Sequence, residues 1–278
     1  HRSQHTIYGH VPGVPTCPRP ISQLQKKGVI VVGESVPVHQ AKHFRHFAAK
    51  IGCPIIGAPL TNLASCGVQA GTFMSQADLL LPHLDEAFHP AVMLRFGRMP
   101  VTKNVLLWLN RLPESTTWLF VDASGQWQDQ LQRANYLIES DIVAFTAHWQ
   151  DQQFNIDHDW INQWQKVQKI ADQIIASQFA HHPFDESQSV RMLQQTLPTD
   201  AQILLANSNA IRFFDRFGSE TTTSYRVYGN RGVNGIDGLI STVAGIAMTS
   251  KKPTYLLIGD LAFYHDMNGL QLLRQYHL

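Results

Sequence analysis

Short runs of uninterrupted apolar residues recur along this chain, and amphipathic segments with helical spacing separate them. The first run covers residues 29–32, all valine or isoleucine, and a helical pattern follows over residues 38–51. A strand that is apolar throughout, rather than at alternate positions, needs a sheet that is covered on both faces. The pattern therefore predicts an α/β fold with doubly wound parallel sheets.

Two series of such units are predicted, with a long amphipathic segment between them. The first series has strands at 28–33, 54–57, 91–96, 118–122 and 141–145 and helices at 38–51 and 103–112. The second has strands at 203–206, 225–228 and 254–258 and helices at 187–197, 210–217, 238–249 and 267–276. We expect an irregular lead-in (1–24), a central Rossmann-like domain (25–150), a linker helix (151–184) and a second Rossmann-like domain (185–278), incomplete because no strand follows its last helix.

Charge and the first glycine-containing turn exclude several function classes. With 22 basic and 21 acidic residues, the net charge of +1 provides no field that would attract nucleic acid or an anionic membrane. The apolar runs are too short for a membrane span. Residues 33–37 lack the G-x-G-x-x-G of a dinucleotide site, so we expect a structural role for the first domain.

Cysteine and histidine positions give no disulfide or metal pattern. The three cysteines, at positions 17, 53 and 66, have no close pair, which indicates free thiols in a reducing cytoplasm. The three histidines within residues 1–10 fit neither a helical face nor a compact ligand turn, so we expect a solvated tail. Because the first residues contain neither an initiator methionine nor an apolar signal core, we expect an internal cut point in a larger enzyme.

Three polar motifs lie in the last third, each at the carboxyl end of a predicted strand, where open α/β sheets place ligands. They are Asn207-Ser208 with Arg212 one turn later, the glycine-rich turn at 230–238, and Gly259-Asp260. The glycine-rich turn exposes N–H groups at a helix N-terminus, which suits a phosphate, and Asp260 is suited to a cation beside it. Each motif also has a structural interpretation, since an Asp that ends a strand often caps a helix.

Two of these motifs carry a family resemblance. N-R-G-V-N-G-I-D-G at 230–238, followed by Gly-Asp at the end of the next strand, resembles the diphosphate-binding domain of thiamine-diphosphate enzymes. Within that family, residues 95–103, Asn207-Ser208 and Arg212 are most similar to the carboligases of menaquinone biosynthesis, and the similarity runs from about residue 28 to the end. The resemblance implies a transferase that decarboxylates 2-oxoglutarate and adds the succinyl-semialdehyde carbanion to isochorismate.

The resemblance also implies roles for individual residues. Asp260 would bind the Mg²⁺ or Mn²⁺ that holds the cofactor diphosphate, and Ile236 would bend thiamine diphosphate into its reactive shape. Other cofactor contacts would come from Gly235, Asp237, Gly259 and Leu261. The dicarboxylate substrates would be bound by Lys103, Asn207, Ser208, Arg212 and Arg231, because cationic side chains match carboxylates.

The resemblance further implies groups that this chain does not supply. The activating glutamate belongs to an N-terminal domain, so the catalytic residue is unassigned, and a metal-binding asparagine is expected beyond the last residue. Leu261 stands where the wider family has glycine, and Asn104 where some relatives have a second basic residue. We expect a homo-oligomeric parent enzyme with sites at subunit interfaces, and an inactive isolated chain.

Alternative interpretations of these residues stay open. Arg212 and Arg231 are also compatible with ordinary ion pairs, and Lys103 with a solvated helix lysine. Another thiamine-diphosphate carboligase or decarboxylase, similar to acetolactate synthase, is the alternative enzyme. A noncatalytic structural module is the alternative of a different class.

Overall fold

Two parallel sheets with surrounding helices make up the structure, a computed structural model that describes residues 27–33, 36–100, 102–124, 128–149 and 151–278. The predicted α/β class with two parallel sheets is confirmed. The predicted lead-in at residues 1–24, with its histidines and Cys17, lies outside the described residues.

The first sheet has five parallel strands in the order β2-β1-β3-β4-β5. Its strands are β1 (Gly28–Val32), β2 (Ile55–Gly57), β3 (Val92–Phe96), β4 (Thr117–Val121) and β5 (Tyr136–Ile138). The helices around it are α1 (Val38–Ile51), α2 (Ala77–Leu80), α3 (Lys103–Arg111), α4 (Ile142–His148) and the long α5 (His158–His181). Short 3-10 helices cover Pro59–Thr61, Leu81–His83 and Glu86–Phe88.

Alternate residues of β1 pack into two separate cores, one on each face of the first sheet. Ile30 lies in a core with Phe44 of α1, whereas Val31 lies in the opposite core with Trp108 of α3 and Trp164 of α5. Because helices cover both faces, every residue of β1 is buried. This arrangement explains why the strand sequence is apolar without alternation.

One predicted strand is wrong. Residues 141–145 begin helix α4, and the fifth strand is β5, which precedes them and pairs with β4. The side chain of Asp141 accepts a hydrogen bond from the backbone N–H of Ala144 at 2.8 Å, which is the geometry of a helix N-cap. Ile142 and Phe145 are both buried at a spacing of three, so the apolar run follows helical periodicity.

The long amphipathic segment forms α5, as predicted, and braces the first sheet. Asp157 caps the helix by accepting a hydrogen bond from the N–H of Trp160 at 3.0 Å. The indole N–H of Trp160 donates to the carbonyl of Gly28 at 2.9 Å, which fixes the helix to the start of β1. Every helix in the described part of the chain is too short or too polar to span a lipid bilayer.

The second sheet has three parallel strands in the order β7-β6-β8. These are β6 (Gln202–Leu205), β7 (Arg226–Tyr228) and β8 (Thr254–Leu257), with helices α6 (Glu186–Thr196), α7 (Asn209–Phe217), α8 (Leu239–Ser250), α9 (Asp260–His265) and α10 (Leu270–Tyr276). The predicted helix at 267–276 begins as a 3-10 turn over Met267–Gly269. Helix α9, which starts at Asp260 itself, was not predicted.

Buried polar contacts hold the two sheets against each other. Arg45 of α1 is fully buried and forms an ion pair with Glu220 at 2.6 Å. The side-chain oxygen of Asn62 accepts a hydrogen bond from the N–H of Val227 in β7 at 2.7 Å. We call the first sheet with α1–α5 the first unit and the second sheet with α6–α10 the second unit. Specific groups of the first unit therefore position the second sheet, and the gap between the two units has a defined lining.

Candidate functional site

A cleft of about 150 Å³ lies between the two sheets, beyond the carboxyl end of β6. From the first unit it is lined by Ala58, Pro59, Asp78, Thr102 and Lys103, and from the second by Ser208, Ile211, Arg212, Asp215, Arg216 and Arg231. Four of the five residues predicted to bind substrate therefore line one cavity. The structure brings together residues that are more than one hundred positions apart in sequence.

The fifth predicted residue, Asn207, holds the cleft wall rather than lining the cavity. Its amide N–H group donates to the carbonyls of Asn230 at 3.2 Å and Gly235 at 2.7 Å. Its amide oxygen accepts a hydrogen bond from the guanidinium of Arg231 at 2.7 Å. Asn207 thus fixes the glycine-rich turn against the end of β6 and sets the direction of Arg231.

Three of the four cationic groups that line this cleft have no carboxylate partner among the described residues. No carboxylate of the described residues lies within 4.0 Å of Lys103, Arg212 or Arg231, whereas Arg216 forms an ion pair with Asp78 at 2.7 Å. Burial lowers the pKa of the Arg231 guanidinium, and the neighbouring charge of Arg212 lowers it further. Positive groups that repel each other and have no counter-ion within the described part of the chain create a local affinity for anions.

Asn104 has a structural function in the described chain. Its backbone N–H donates to the carboxylate of Asp78 at 3.3 Å, and its side-chain amide donates to the Asp78 carbonyl at 2.7 Å. These bonds anchor the start of α3 to α2. They thereby help to position Lys103, the preceding residue, in the lining of the cleft.

Ser208 occupies an unusual backbone conformation at the turn between β6 and α7. Its φ and ψ are 64° and −130°, a region that residues with a side chain rarely adopt. Its side chain makes no capping hydrogen bond to α7 and is exposed at the cleft. The turn therefore presents a hydroxyl group next to Arg212 instead of using it as a helix cap.

The N-terminus of α8 was predicted to bind a phosphate through its N–H groups, and the structure gives these groups another partner. The Asp266 carboxylate accepts hydrogen bonds from the N–H of Gly238 at 3.0 Å and of Ile240 at 2.6 Å. Asp266 is buried, so the helix N-terminus is capped by a side chain that lies 28 positions later. These two N–H groups thus have a partner within the chain, and phosphate binding by the turn stays a prediction.

The residues predicted to contact the cofactor lie outside this cleft, on the glycine-rich turn and around the start of α9. Asp237 pairs with His265 at 2.5 Å, which joins the turn to α9. Ile236 is 40% exposed and Leu261 is 75% exposed, so both apolar side chains have open surface. Gly235 and Gly259 are exposed as well.

Asp260 is the first residue of α9, and its carboxylate is exposed. One carboxylate oxygen accepts a hydrogen bond from the N–H of Leu261 at 2.8 Å. Among the residues that the structure describes, no group of three or more histidine, cysteine, aspartate or glutamate side chains could hold a metal. Asp260 is therefore a single candidate ligand and not a formed metal centre.

The sequence analysis missed the acidic groups of the cleft, Asp78 and Asp215. Arg212 and Asp215, three positions apart, share one face of α7, which begins directly after Ser208. That spacing would have revealed Asp215 from sequence. Asp78 gave no comparable pattern, because its partner Arg216 lies 138 positions away.

Two parallel-sheet units with a cationic cleft at a strand end define an α/β ligand-binding architecture that is typical of enzymes. A family model described as "Middle domain of thiamine pyrophosphate" matches residues 13–205, which is more than half of the 278 residues. The chain belongs to this family of thiamine pyrophosphate enzymes.

Similar curated proteins are 2-succinyl-5-enolpyruvyl-6-hydroxy-3-cyclohexene-1-carboxylate synthases. The chain is 36% identical to that of Enterococcus faecalis over 256 residues, covering 91% of this chain and 44% of the relative. Identity to the Bacillus pumilus synthase is 36% over 253 residues, which covers 88% of this chain and 43% of the relative. Identity to the Listeria monocytogenes synthase is 33% over 258 residues, which covers 91% of this chain and 44% of the relative. These matches confirm the resemblance, and the chain spans less than half the length of each relative.

Proposed function

We propose that this chain is part of a thiamine-diphosphate-dependent carboligase and that its cationic cleft binds a dicarboxylate substrate. The observation that supports this proposal is the convergence of Lys103, Arg212 and Arg231 on one cavity without carboxylate partners among the described residues. The resemblance to the synthases suggests 2-oxoglutarate as the donor substrate and isochorismate as the acceptor. The same resemblance supports the division into a central domain at 25–150 and a diphosphate-binding domain at 185–278.

Opposite walls of the cleft suit the two ends of a dicarboxylate. Arg212 and Arg231 come from the second unit and would bind one carboxylate by charge-assisted hydrogen bonds, with Ser208 as a further donor. Lys103 comes from the first unit and would bind the other carboxylate. Because the Asn207 bond orients Arg231 in advance, little side-chain freedom is lost on binding.

The described residues fit part of a thiamine-diphosphate site. Asp260 would bind the Mg²⁺ or Mn²⁺ beside the diphosphate, Ile236 would contact the cofactor rings, and Gly235, Asp237, Gly259 and Leu261 would form the surrounding surface. When bound, thiamine diphosphate supplies the carbanion stabilisation that decarboxylation of a 2-oxo acid requires. With one candidate metal ligand and α8 capped by Asp266, we expect the 278-residue chain alone not to bind the cofactor tightly.

The test is a calorimetric titration of the chain with succinate and 2-oxoglutarate, compared with pyruvate. We expect both dicarboxylates to bind more tightly than pyruvate, which has one carboxylate. Replacing Arg212 or Arg231 by Gln should weaken dicarboxylate binding about tenfold, since each removes a charge-assisted hydrogen bond. The matched control is Arg226→Gln, because Arg226 is an exposed arginine that stacks on Tyr228 and does not line the cleft.

Pyruvate binding as tight as that of the dicarboxylates would favour the alternative enzyme, similar to acetolactate synthase. If Arg226→Gln lowered dicarboxylate affinity as much as Arg212→Gln or Arg231→Gln, the assignment of the binding site to this cleft would be contradicted. Micromolar binding of thiamine diphosphate with Mg²⁺ to the isolated chain would contradict the expectation that it binds the cofactor weakly. The noncatalytic alternative predicts no selective anion binding at all.

A further inference from the structure

Asp215 lies on α7, three positions after Arg212 and on the same side of the helix. It lines the cleft, and it also lines a second cavity of about 20 Å³ between the two units. That second cavity contains Ser65 of the first unit and Tyr225 of the second. Asp215 therefore stands in the wall between the substrate cleft and the interface of the two sheets.

The charges around Asp215 come from every element that lines the cleft. Helix α7 contributes Arg212 and Arg216, α2 contributes Asp78, α3 contributes Lys103, and the glycine-rich turn contributes Arg231. The nearest cation on its own helix, Arg216, is already bound to Asp78 at 2.7 Å. Within the described residues Asp215 itself makes no ion pair or hydrogen bond.

This placement disfavours an ionised carboxylate. Asp215 is half-buried, and a carboxylate that loses part of its water without gaining a hydrogen-bond donor is disfavoured, the more so beside a second carboxylate. Burial and then the charge of Asp78 raise the pKa of Asp215 to about 8, and the charge of Arg216 opposes this shift only partly. A pKa of about 8 favours the protonated acid at neutral pH, beside Arg212, Arg231 and Lys103.

We propose that Asp215 is a substrate-positioning residue, whose neutral carboxylic acid donates a hydrogen bond to a carboxylate oxygen of the bound dicarboxylate. The inference rests on the proposed function, since it assigns a further contact to the same ligand. A neutral acid is suited to this contact because an O–H donor to a carboxylate forms a short, strong hydrogen bond. An ionised Asp215 would instead repel the ligand.

The protonation of Asp215 then sets the pH dependence of binding. If the ligand binds only while Asp215 is protonated, the dissociation constant rises about tenfold from about pH 7 to about pH 9. Linkage is reciprocal, so a bound dicarboxylate raises the pKa of Asp215 further. No histidine lines the cleft within the described ranges, so no imidazole contributes to this profile.

The same group makes stability depend on pH. Its folded pKa is raised far above the unfolded value of about 4, so the folded state binds the extra proton between about pH 4 and about pH 8. The free energy of unfolding therefore falls as pH rises through this window. An isosteric amide, which cannot ionise, would remove this decline.

The experiment combines carbon-13 NMR of aspartate carboxyl groups with succinate titrations of the chain at about pH 7 and about pH 9. The Asp215 resonance is assigned by its absence in Asp215→Asn. We expect wild type to lose about tenfold in affinity at the higher pH, and Asp215→Asn, whose amide still donates, to bind equally at both. Asp215→Ala should bind about tenfold more weakly at about pH 7, because the donor is lost.

The control is Asp200→Asn, since Asp200 is 69% exposed, pairs with Lys252 and lies outside the cleft. A normal acidic titration of Asp215 would overturn the inference, and so would an Asp215→Asn variant with the pH profile of wild type. If the wild-type chain binds no succinate at either pH, the proposed function fails for this cleft and the role of Asp215 fails with it. If the wild-type chain binds succinate and neither Asp215 variant changes that affinity, only the role of Asp215 is refuted.

Discussion

The two sheets differ in how completely their strands are covered. Every residue of β1, β2 and β3 in the first sheet is buried. In the second sheet β6 is equally buried, but all four residues of β8 are only partly buried, and α10 buries none of its residues. Most candidate site residues, from Asn207 to Leu261, nevertheless belong to the second unit.

This difference indicates that the first unit contributes most of the stability and the second unit most of the binding groups. The first unit has two aromatic-rich cores and supplies a rigid support. The second unit carries exposed turns at its strand ends, where polar groups remain accessible to ligands. Substitutions in the first unit should therefore change stability, and substitutions in the second should mainly change binding.

The largest expected effect tests the first half of this comparison. Trp164 is fully buried and makes edge-to-face contacts with Phe88, Trp108 and Trp160 at ring distances of 5.3 to 6.1 Å. Trp164→Ala should lower the free energy of unfolding by about 3–5 kcal/mol, because it leaves a large cavity. Urea unfolding followed by circular dichroism measures the change.

The matched variant in the second unit is Leu270→Ala in α10. Leu270 is 39% exposed, so its truncation should cost less than about 1 kcal/mol. A cost as large as that of Trp164→Ala would show that the second unit is packed as tightly as the first. The contrast drawn from burial would then be wrong.

The same contrast explains how much of the molecule could be predicted from the sequence. Buried strands such as β1 and β3 have continuous apolar runs that identify them directly. The strand predicted at 141–145 failed because Asp141 caps a helix, and apolar runs of this length fit both structures. Local patterns therefore identify fully covered strands best.

The candidate site divides in the same way. Arg212, Arg231 and Ser208 could be found because they stand beside recognisable turn motifs at strand ends. The capping of α8 by Asp266 could not, because donor and acceptor are 28 positions apart and nothing local marks the pair. Asp215 owes its chemistry to burial beside Asp78, which only the packed structure reveals.

A smaller effect is expected where the two units meet. Arg45 is fully buried, donates to the carbonyls of Ala70 at 2.7 Å and Leu63 at 3.2 Å, and pairs with Glu220. Glu220→Ala leaves this guanidinium without its counter-ion and should cost about 2–3 kcal/mol, less than for a fully buried pair because the Glu220 side chain is 21% exposed. In the Glu220→Ala variant we also expect the two units to unfold in separate transitions, which calorimetry would resolve.

The control for this interface prediction is Lys252→Met. Lys252 and Asp200 are both largely exposed and 3.7 Å apart, so breaking their pair should cost less than about 0.5 kcal/mol. A single sharp transition for Glu220→Ala, with stability unchanged, would mean that Arg45 does not couple the two units. The units would then be held together by their apolar contacts.

The smallest expected effect concerns Ser208 of the second unit, whose backbone is strained and whose hydroxyl is proposed to contact the ligand. At a φ of 64° a serine costs about 1–3 kcal/mol relative to a relaxed backbone, and glycine removes most of that cost. Because glycine also gains freedom in the unfolded chain, Ser208→Gly should stabilise the protein by only about 1 kcal/mol. Ser208→Ala keeps the strain and should leave stability unchanged. Both variants lose the hydroxyl and should bind succinate more weakly, so a stability gain from alanine as well would contradict strain as the cause.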